Sequence, residues 1–372
     1  MIEKVALVGA YSMSNYGDAL YPKAIAELLK QEGFGGIIEH YALLPGKTLD
    51  GAEVRPLTVL KPDSMDAVLV GGGDLIRCDL NTVALDHLNV PTELRNSMLN
   101  RIRARCFRYR SMLRGPGAWL PIEGWSELVP VAYVSVGVHR LAASESASRA
   151  IENIDAAWVR TEAGAKHLED AGMPQEKLEI GPDAVFAMSE LKDPAYLASI
   201  GKSILVEQAN TSKKPVLFQA AAFHGWNLDR ITKMLAEISN YPIVVLALGA
   251  YAGEDRLLKA AALKAGVPFL TGLPANEVTA VLAAAGCIIT TSMHAAIVGS
   301  CLGVPTIVPG VDKTTSALSV CPDPPAIHLV DDKDISRTVS NVYGQEMPAP
   351  TGANADAAIR AFRHTMKKAG IN

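Results

Sequence analysis

"IITTSMHAAIVGSCLGVPTIVPGVDK", residues 288–313, decides the fold. Ile288–Ile289–Thr290–Thr291 are all β-branched and read as the end of a buried strand. Ala295–Gly303 alternates small with aliphatic residues and reads as a helix packed close to its neighbours. "PTIVPG" (305–310) supplies the next strand. Strand, helix and strand in that order form a unit of a parallel sheet. His294 stands in the first turn of this unit, where another Val or Leu would pack as well. An imidazole exchanges a proton near neutral pH. Lys313 occupies the equivalent turn after the second strand, and Thr290, Thr291 and Ser292 surround the histidine with hydroxyls. The N–H groups at a helix start also favour an anion. Such a site suits an acidic substrate and one proton transfer. The plain structural alternative is a buried histidine bonded to a neighbouring carbonyl.

The same alternation runs outward in both directions. "KVALVG" (4–9), "MDAVLVGGG" (65–73), "PVAYVSVGV" (130–138), "AAWVR" (156–160) and "KLEIGPDAVF" (177–186) read as strands, with helices such as 19–33 and 161–173 between them. The pattern restarts with "PVLFQAAAF" (215–223) and "PIVVLALG" (242–249), and helices 228–239, 253–266 and 275–286 accompany these strands. Two doubly wound, Rossmann-like α/β domains facing a cleft are therefore expected. Their bounds are 1–190 and 200–345, with the seam near "SELKDPAYLASIGKS" (189–203), which is polar and interrupted by Pro194. Residues 353–369 read as a closing helix that packs back on the first domain. Ligands of such folds collect beyond the carboxyl ends of the strands.

A chain of 372 residues suits two cores rather than one. Its formal net charge of −4 gives no reason to expect nucleic acid. Five scattered cysteines without a C-x-x-C pair argue against disulfides and structural zinc, and no acid cluster or His pair asks for another metal. "MIEKVALVGAY" reads as a first strand rather than a signal peptide, and no run of 18 apolar residues occurs. A cytoplasmic protein is expected.

Three loops after strands carry further candidates. In "GAYSMSNYGDAL" (9–20), Asn15 and Asp18 bracket Gly17 and either cap a helix or handle substrate hydroxyls. Gly71, Gly72 and Gly73 let a backbone approach a ligand or another loop closely; the required Lys-Ser/Thr of a P-loop is absent. Arg160, directly after a strand, either grips a carboxylate or phosphate, or pairs with Glu162 or Asp183. One region stands apart. Residues 94–119 hold seven arginines, and no acid occurs between Leu94 and Ile122. Met98, Ile102, Cys106, Tyr109 and Leu113 recur at helical spacing there. That pattern fits an anionic membrane surface, a solvated face or an oligomer contact.

In order along the chain, "SNYGDAL", "VLVGGGDLI", "WVRTEAGAKHLEDAG", "IGPDAVF" and the stretch 288–313 resemble the polysaccharide pyruvyl transferase family. The likeness spans roughly residues 1–320. It implies a GT-B-like fold and ketal-forming transfer of pyruvate from phosphoenolpyruvate to two hydroxyls of a sugar, without a further cofactor. By that resemblance His294 is a general acid, and Asp18 a base on the acceptor side with Asn15. Arg160 and Lys313 hold the donor's anionic groups. Many members carry Arg two residues before the histidine, where this chain has Ser292, which is assigned with them to the donor side. The acceptor is a sugar or lipid-linked oligosaccharide, with peripheral membrane contact through 94–119 at the inner face. Two other functions compete. One is a GT-B glycosyltransferase with a nucleotide-sugar donor, for which Glu277 and Asp312 are poor nucleoside partners. The other is an inactive carbohydrate- or phosphate-binding protein.

Overall fold

The computed structural model describes residues 2–13, 15–47, 51–76, 80–88, 90–91, 94–110, 119, 125–138, 145–250, 253–310, 312–348 and 352–371. The first sheet has eight strands: β1 (Lys4–Val8), β2 (Ile37–Ala42), β3 (Gly46–Lys47), β4 (Glu53–Pro56), β5 (Ala67–Gly71), β6 (Val131–Val136), β7 (Ala156–Val159) and β8 (Leu178–Ile180). They lie in the order β3-β4-β2-β1-β5-β6-β7-β8, parallel apart from the short β3 beside β4. The second sheet is wholly parallel. It comprises β9 (Val216–Gln219), β10 (Ile243–Leu246), β11 (Phe269–Leu270), β12 (Cys287–Thr290), β13 (Thr306–Pro309) and β14 (Ile327–Val330), in the order β11-β10-β9-β12-β13-β14. The quoted stretch folds as β12, the helix Met293–Cys301 and β13, with Ile288 opposite Thr306 and Ile289 opposite Ile307.

The apolar runs behave as parallel strands must. Helices on both faces leave β5, β6, β7, β9, β10, β12 and β13 buried at every residue. The order of the first sheet reverses between β1 and β5, and that of the second between β9 and β12. Loops diverge at such points and open a crevice. The two crevices face each other. The backbone N–H of Tyr16, after β1, donates to the Leu248 carbonyl after β10 at 2.8 Å, and the Tyr16 hydroxyl lies 2.9 Å from Thr279 Oγ1.

Near the seam, Pro194 opens a helix instead of interrupting the chain. Residues Pro194–Ala209 are a helix packed on the helix Ala275–Ala283 of the second domain. Pro194, read as an interruption, sits at the first helical turn behind the Asp193 cap, where its missing N–H costs nothing. Gly201 lets the two helices touch: a Cβ there would lie 1.9 Å from the Ala280 carbonyl oxygen. The sequence pattern also passed over β2, β4 and β11, which are short or only half-buried. Helix Ala353–Lys368 lies on the first sheet, over β6, β7 and β8, with Phe362 wholly buried. The chain thus leaves the first lobe after β8, builds the second and returns. Among the described residues no helix is long and apolar enough to cross a membrane.

Candidate functional site

Helix Tyr16–Gln31 begins after β1 with the Asn15 side chain accepting the Gly17 N–H at 3.0 Å, an N-cap. Its first turns present Gly17, Asp18 and Tyr21 toward the start of helix Met293–Cys301 in the other lobe. Ser292 caps that second helix by accepting the Ala295 N–H, which places His294 in its first turn. The His294 ring lies against Gly17: a Cβ at residue 17 would come within 2.3 Å of Nδ1. The Tyr21 ring meets the imidazole edge-on, with centroids 5.3 Å apart. His294 is 8% exposed and forms part of the cleft wall.

The triple glycine is a close crossing. A Cβ at Gly71 would strike Ile25, one at Gly72 would strike Tyr21, and one at Gly73 would lie 2.5 Å from Asp18 Oδ1. Gly72 and Gly73 have φ of +92° and +57°, the left-handed region that glycine occupies without strain. Only Gly73 of the three lines the cavity, beside Asp18 and Asp74.

Arg160 turns inward. Its guanidinium is 2% exposed, with Nη1 donating to Asp183 Oδ2 at 2.8 Å and to the Tyr21 hydroxyl at 2.6 Å. Nη2 donates to Asp74 Oδ1 at 3.0 Å and to the Gly73 carbonyl at 3.2 Å. Of the two sequence expectations, the pair with Asp183 is the one formed. Tyr21 gives its own proton to Asp183 at 2.7 Å. His294 Nε2 lies 3.0 Å from the same hydroxyl, 3.3 Å from Arg160 Nη1 and 3.5 Å from Asp183 Oδ2. Burial works to raise the Asp183 carboxyl, but His294 and the Arg160 guanidinium outweigh it and hold it well below the usual carboxylate range. With Nε2 anchored in this way, the ring is fixed, and Nδ1 is the nitrogen on the Gly17 side. A carboxylate orienting one imidazole nitrogen while the other exchanges a proton is a general acid–base arrangement.

Across the cleft lies a second network that the sequence did not announce. Gln219, at the end of β9, accepts from Thr290 Oγ1 at 2.6 Å and from the Thr291 N–H at 3.1 Å, and donates to Glu254 Oε1 at 3.0 Å. The same Oε1 accepts the Leu248 N–H at 3.4 Å. Burial pushes the Glu254 carboxyl up from 4.5 to about 7, against the pull of these hydrogen bonds. A carboxylate in the first turn of a helix ordinarily reads as a complement to the helix dipole, so nothing in "GEDRLL" marked it. The native state therefore holds this proton more tightly than the unfolded chain between those values. Its stabilising contribution is full below pH 4.5 and is lost as pH rises through about 7. Relative to Glu254→Gln, wild-type protein should lose up to about 3 kcal/mol of unfolding free energy across that window. Chemical denaturation at a series of pH values measures it, and parallel curves for the two proteins would mean that the carboxyl titrates normally.

The charge of the wall departs from expectation. Arg160 and Lys313 were expected to hold a donor's anionic groups there; the described wall carries Asp18, Asp74, Asp86 and Glu254 beside three histidines, with no lysine or arginine among the described residues. The reason is local: Arg160 is spent on Asp74 and Asp183, and Arg95 pairs with Asp86 at 2.7 Å. The Lys313 side chain lies outside the described residues. Its helix, Asp312–Leu318, brings Thr314 to the wall. Thr314 is buried, and its hydroxyl has no hydrogen-bond partner among the described residues.

Residues 15–312 match the polysaccharide pyruvyl transferase family, a span running from the Asn15 cap through His294. The chain belongs to this family. Membership marks this pyruvyl transferase homologue as a transferase acting on sugars. No curated protein matches the sequence. Among solved structures, the UDP-GlcNAc 2-epimerase from Methanocaldococcus jannaschii is 13% identical, with 97% of this chain and 99% of that one covered at a TM-score of 0.57. The enzyme of the same name from Rickettsia bellii is 12% identical, covering 100% and 98% at 0.56. That from Neisseria meningitidis, bound to UDP-GlcNAc, is 12% identical, covering 99% and 100% at 0.53. At such identities the likeness carries the fold alone, and that fold is GT-B.

Proposed function

We propose that this family member transfers pyruvate from phosphoenolpyruvate to two hydroxyls of a sugar in a cell-surface polysaccharide or its lipid-linked precursor. Both hydroxyl oxygens bond to the enol carbon C2, which becomes a ketal. One hydroxyl proton ends on C3, forming the methyl group, and the other leaves with phosphate. The observation that carries this reading is the anchored His294 ring, set at the cleft within the family-matched span. In the proposal His294 delivers the proton to C3 or to the departing phosphate, and Asp18 takes one from the acceptor. The carboxylate-lined wall suits a polyhydroxylated acceptor, because carboxylates accept hydrogen bonds from sugar hydroxyls.

The donor carries close to three negative charges and needs compensation in such a cleft. Lys313, the first N–H groups of helix Met293–Cys301 and a protonated His294 supply it in this scheme, with the Thr314 hydroxyl as a further donor. Arg160 contributes indirectly, by holding Asp183 and His294 in place. In this scheme no cofactor takes part, and the reaction runs in the cytoplasm. Incubation with phosphoenolpyruvate and candidate glycans tests the proposal: phosphate is released, and mass spectrometry finds a pyruvylated product. Nucleoside diphosphate released from a nucleotide sugar, with phosphoenolpyruvate untouched, would overturn it. The acid-lined wall also favours a second reading, a carbohydrate-binding protein without turnover, for which glycans bind and no phosphate appears.

The contact of Gly17 with the imidazole gives a sharper check. In Gly17→Ala the new methyl and Nδ1 cannot coexist, so the ring must shift. Displacement of a catalytic group by about 1 Å costs on the order of 10²-fold in rate. Alanine is meanwhile the better helix former by about 1 kcal/mol. Turnover is expected to fall by that order with the melting temperature nearly unchanged, and undiminished turnover would place the chemistry elsewhere.

A further inference from the structure

Helix Met98–Arg110 carries a surface that neither the fold nor the cleft uses. Asn100, Ala104 and Phe107 face inward, and the helix packs on its neighbour Leu80–His87. At about 100° per residue, Met98, Ile102 and Cys106 fall on the opposite side. Met98 is 79% exposed, Leu99 66% and Ile102 48%. Arg101 and Arg105 border this apolar row on one flank and Arg103 borders it on the other, all three exposed. Arg95 and Arg108 are engaged elsewhere, with Asp86 and Asn81, and Arg103 gives one N–H to Asn100 Oδ1 at 3.0 Å while remaining exposed. The stretch from Leu94 to Ile122 contains no acid that could neutralise the flanks.

We propose that this face seats the protein on an anionic membrane, with the apolar row entering the interface and the three arginines meeting lipid headgroups. Basic flanks around an exposed apolar row are what such a surface selects, since burial and charge attraction add. A second copy of the chain fits poorly, because a symmetric contact would set arginine against arginine. A nucleic acid would leave Met98, Leu99 and Ile102 without a partner, and the described part of the row offers no aromatic platform for bases. The location adds a consequence. Helix Leu80–His87 gives Val83, Asp86 and His87 to the cleft wall, so the docking face and the cleft lie on two sides of one helix pair. An acceptor held in the membrane would be presented beside the cleft. The binding itself does not depend on which group is transferred.

Sedimentation of the full chain with vesicles tests this without any assay of turnover. Vesicles of equal parts phosphatidylglycerol and phosphatidylcholine should carry the protein down at low ionic strength, and vesicles of phosphatidylcholine alone should not. Each arginine near an anionic surface is worth about fivefold in partitioning, so Arg101→Ala/Arg103→Ala/Arg105→Ala should bind about 100-fold more weakly. Met98→Ser/Ile102→Ser should lose about tenfold. All five positions are exposed, so circular dichroism should show unchanged folds. Three results would sink the proposal: wild-type protein that stays in the supernatant, a triple arginine variant that binds as well as wild type, or a wild-type dimer that Met98→Ser/Ile102→Ser dissociates while vesicles remain unbound.

Discussion

His294→Ala is expected to lower pyruvyl transfer by about 10²–10⁴-fold, the contribution of a positioned acid–base group. The protein should remain folded. The imidazole is held by a hydrogen bond with Tyr21 and a charge contact with Asp183, and it forms part of the cleft wall. The measurement is phosphate release from phosphoenolpyruvate in the presence of an accepted glycan, alongside a thermal melt. A variant with near wild-type turnover would remove His294 from the chemistry. His294→Gln refines the test. The amide can replace the hydrogen bond to Tyr21 but cannot exchange a proton, so it should be nearly as inactive as alanine.

Arg160→Ala should act on stability before it acts on donor use. Removing one partner of a buried pair costs about 3–5 kcal/mol, because it leaves uncompensated charge. Here two carboxylates lose their partner, and Asp183 is almost wholly buried. Denaturant midpoints should fall accordingly. The loss should shrink toward acid, because His294 still lowers the Asp183 carboxyl but the guanidinium's share is gone, so Asp183 takes up a proton at a higher pH than in wild type. Arg160→Lys should recover only part of the stability. An ammonium is a point charge and cannot serve Asp74 and Asp183 with two arms. The opposite result, a fully stable Arg160→Ala protein with a raised KM for phosphoenolpyruvate, would return this arginine to direct contact with the donor.

The strand–helix–strand around His294 was legible because three signals agreed there: a β-branched run, a small-residue helix and a second apolar run ending in Pro-Gly. The histidine's place in a turn after a strand followed from that reading. Its partners did not. Tyr21 lies on the buried side of an amphipathic helix, where an aromatic ordinarily needs no polar role. Asp74 and Asp183 lie 86 and 23 residues from Arg160, and only the assembled sheet decides whether a guanidinium at a strand end turns to the cleft or away from it. Among the described residues, Arg160 is turned away from the cleft for the same reason. Sequence offered Asp183 as a partner for Arg160 but could not choose between that pair and a ligand, and it gave no sign of Asp74. Glu254 shows the converse, since its altered proton affinity comes from burial within the second lobe, against the pull of its bonds to Gln219 and Leu248.

Helix Ala353–Lys368 covers the outer strands of the first lobe, although every residue of the second lobe precedes it in the chain. As the polypeptide leaves the ribosome, the earlier half cannot shut its core when its own strands are ready. It must wait, with the Phe362 site open, until the later half has emerged. Maturation of this protein is thus a matter of the whole chain at once, and a nascent fragment ending anywhere before residue 353 presents greasy surface to the cell.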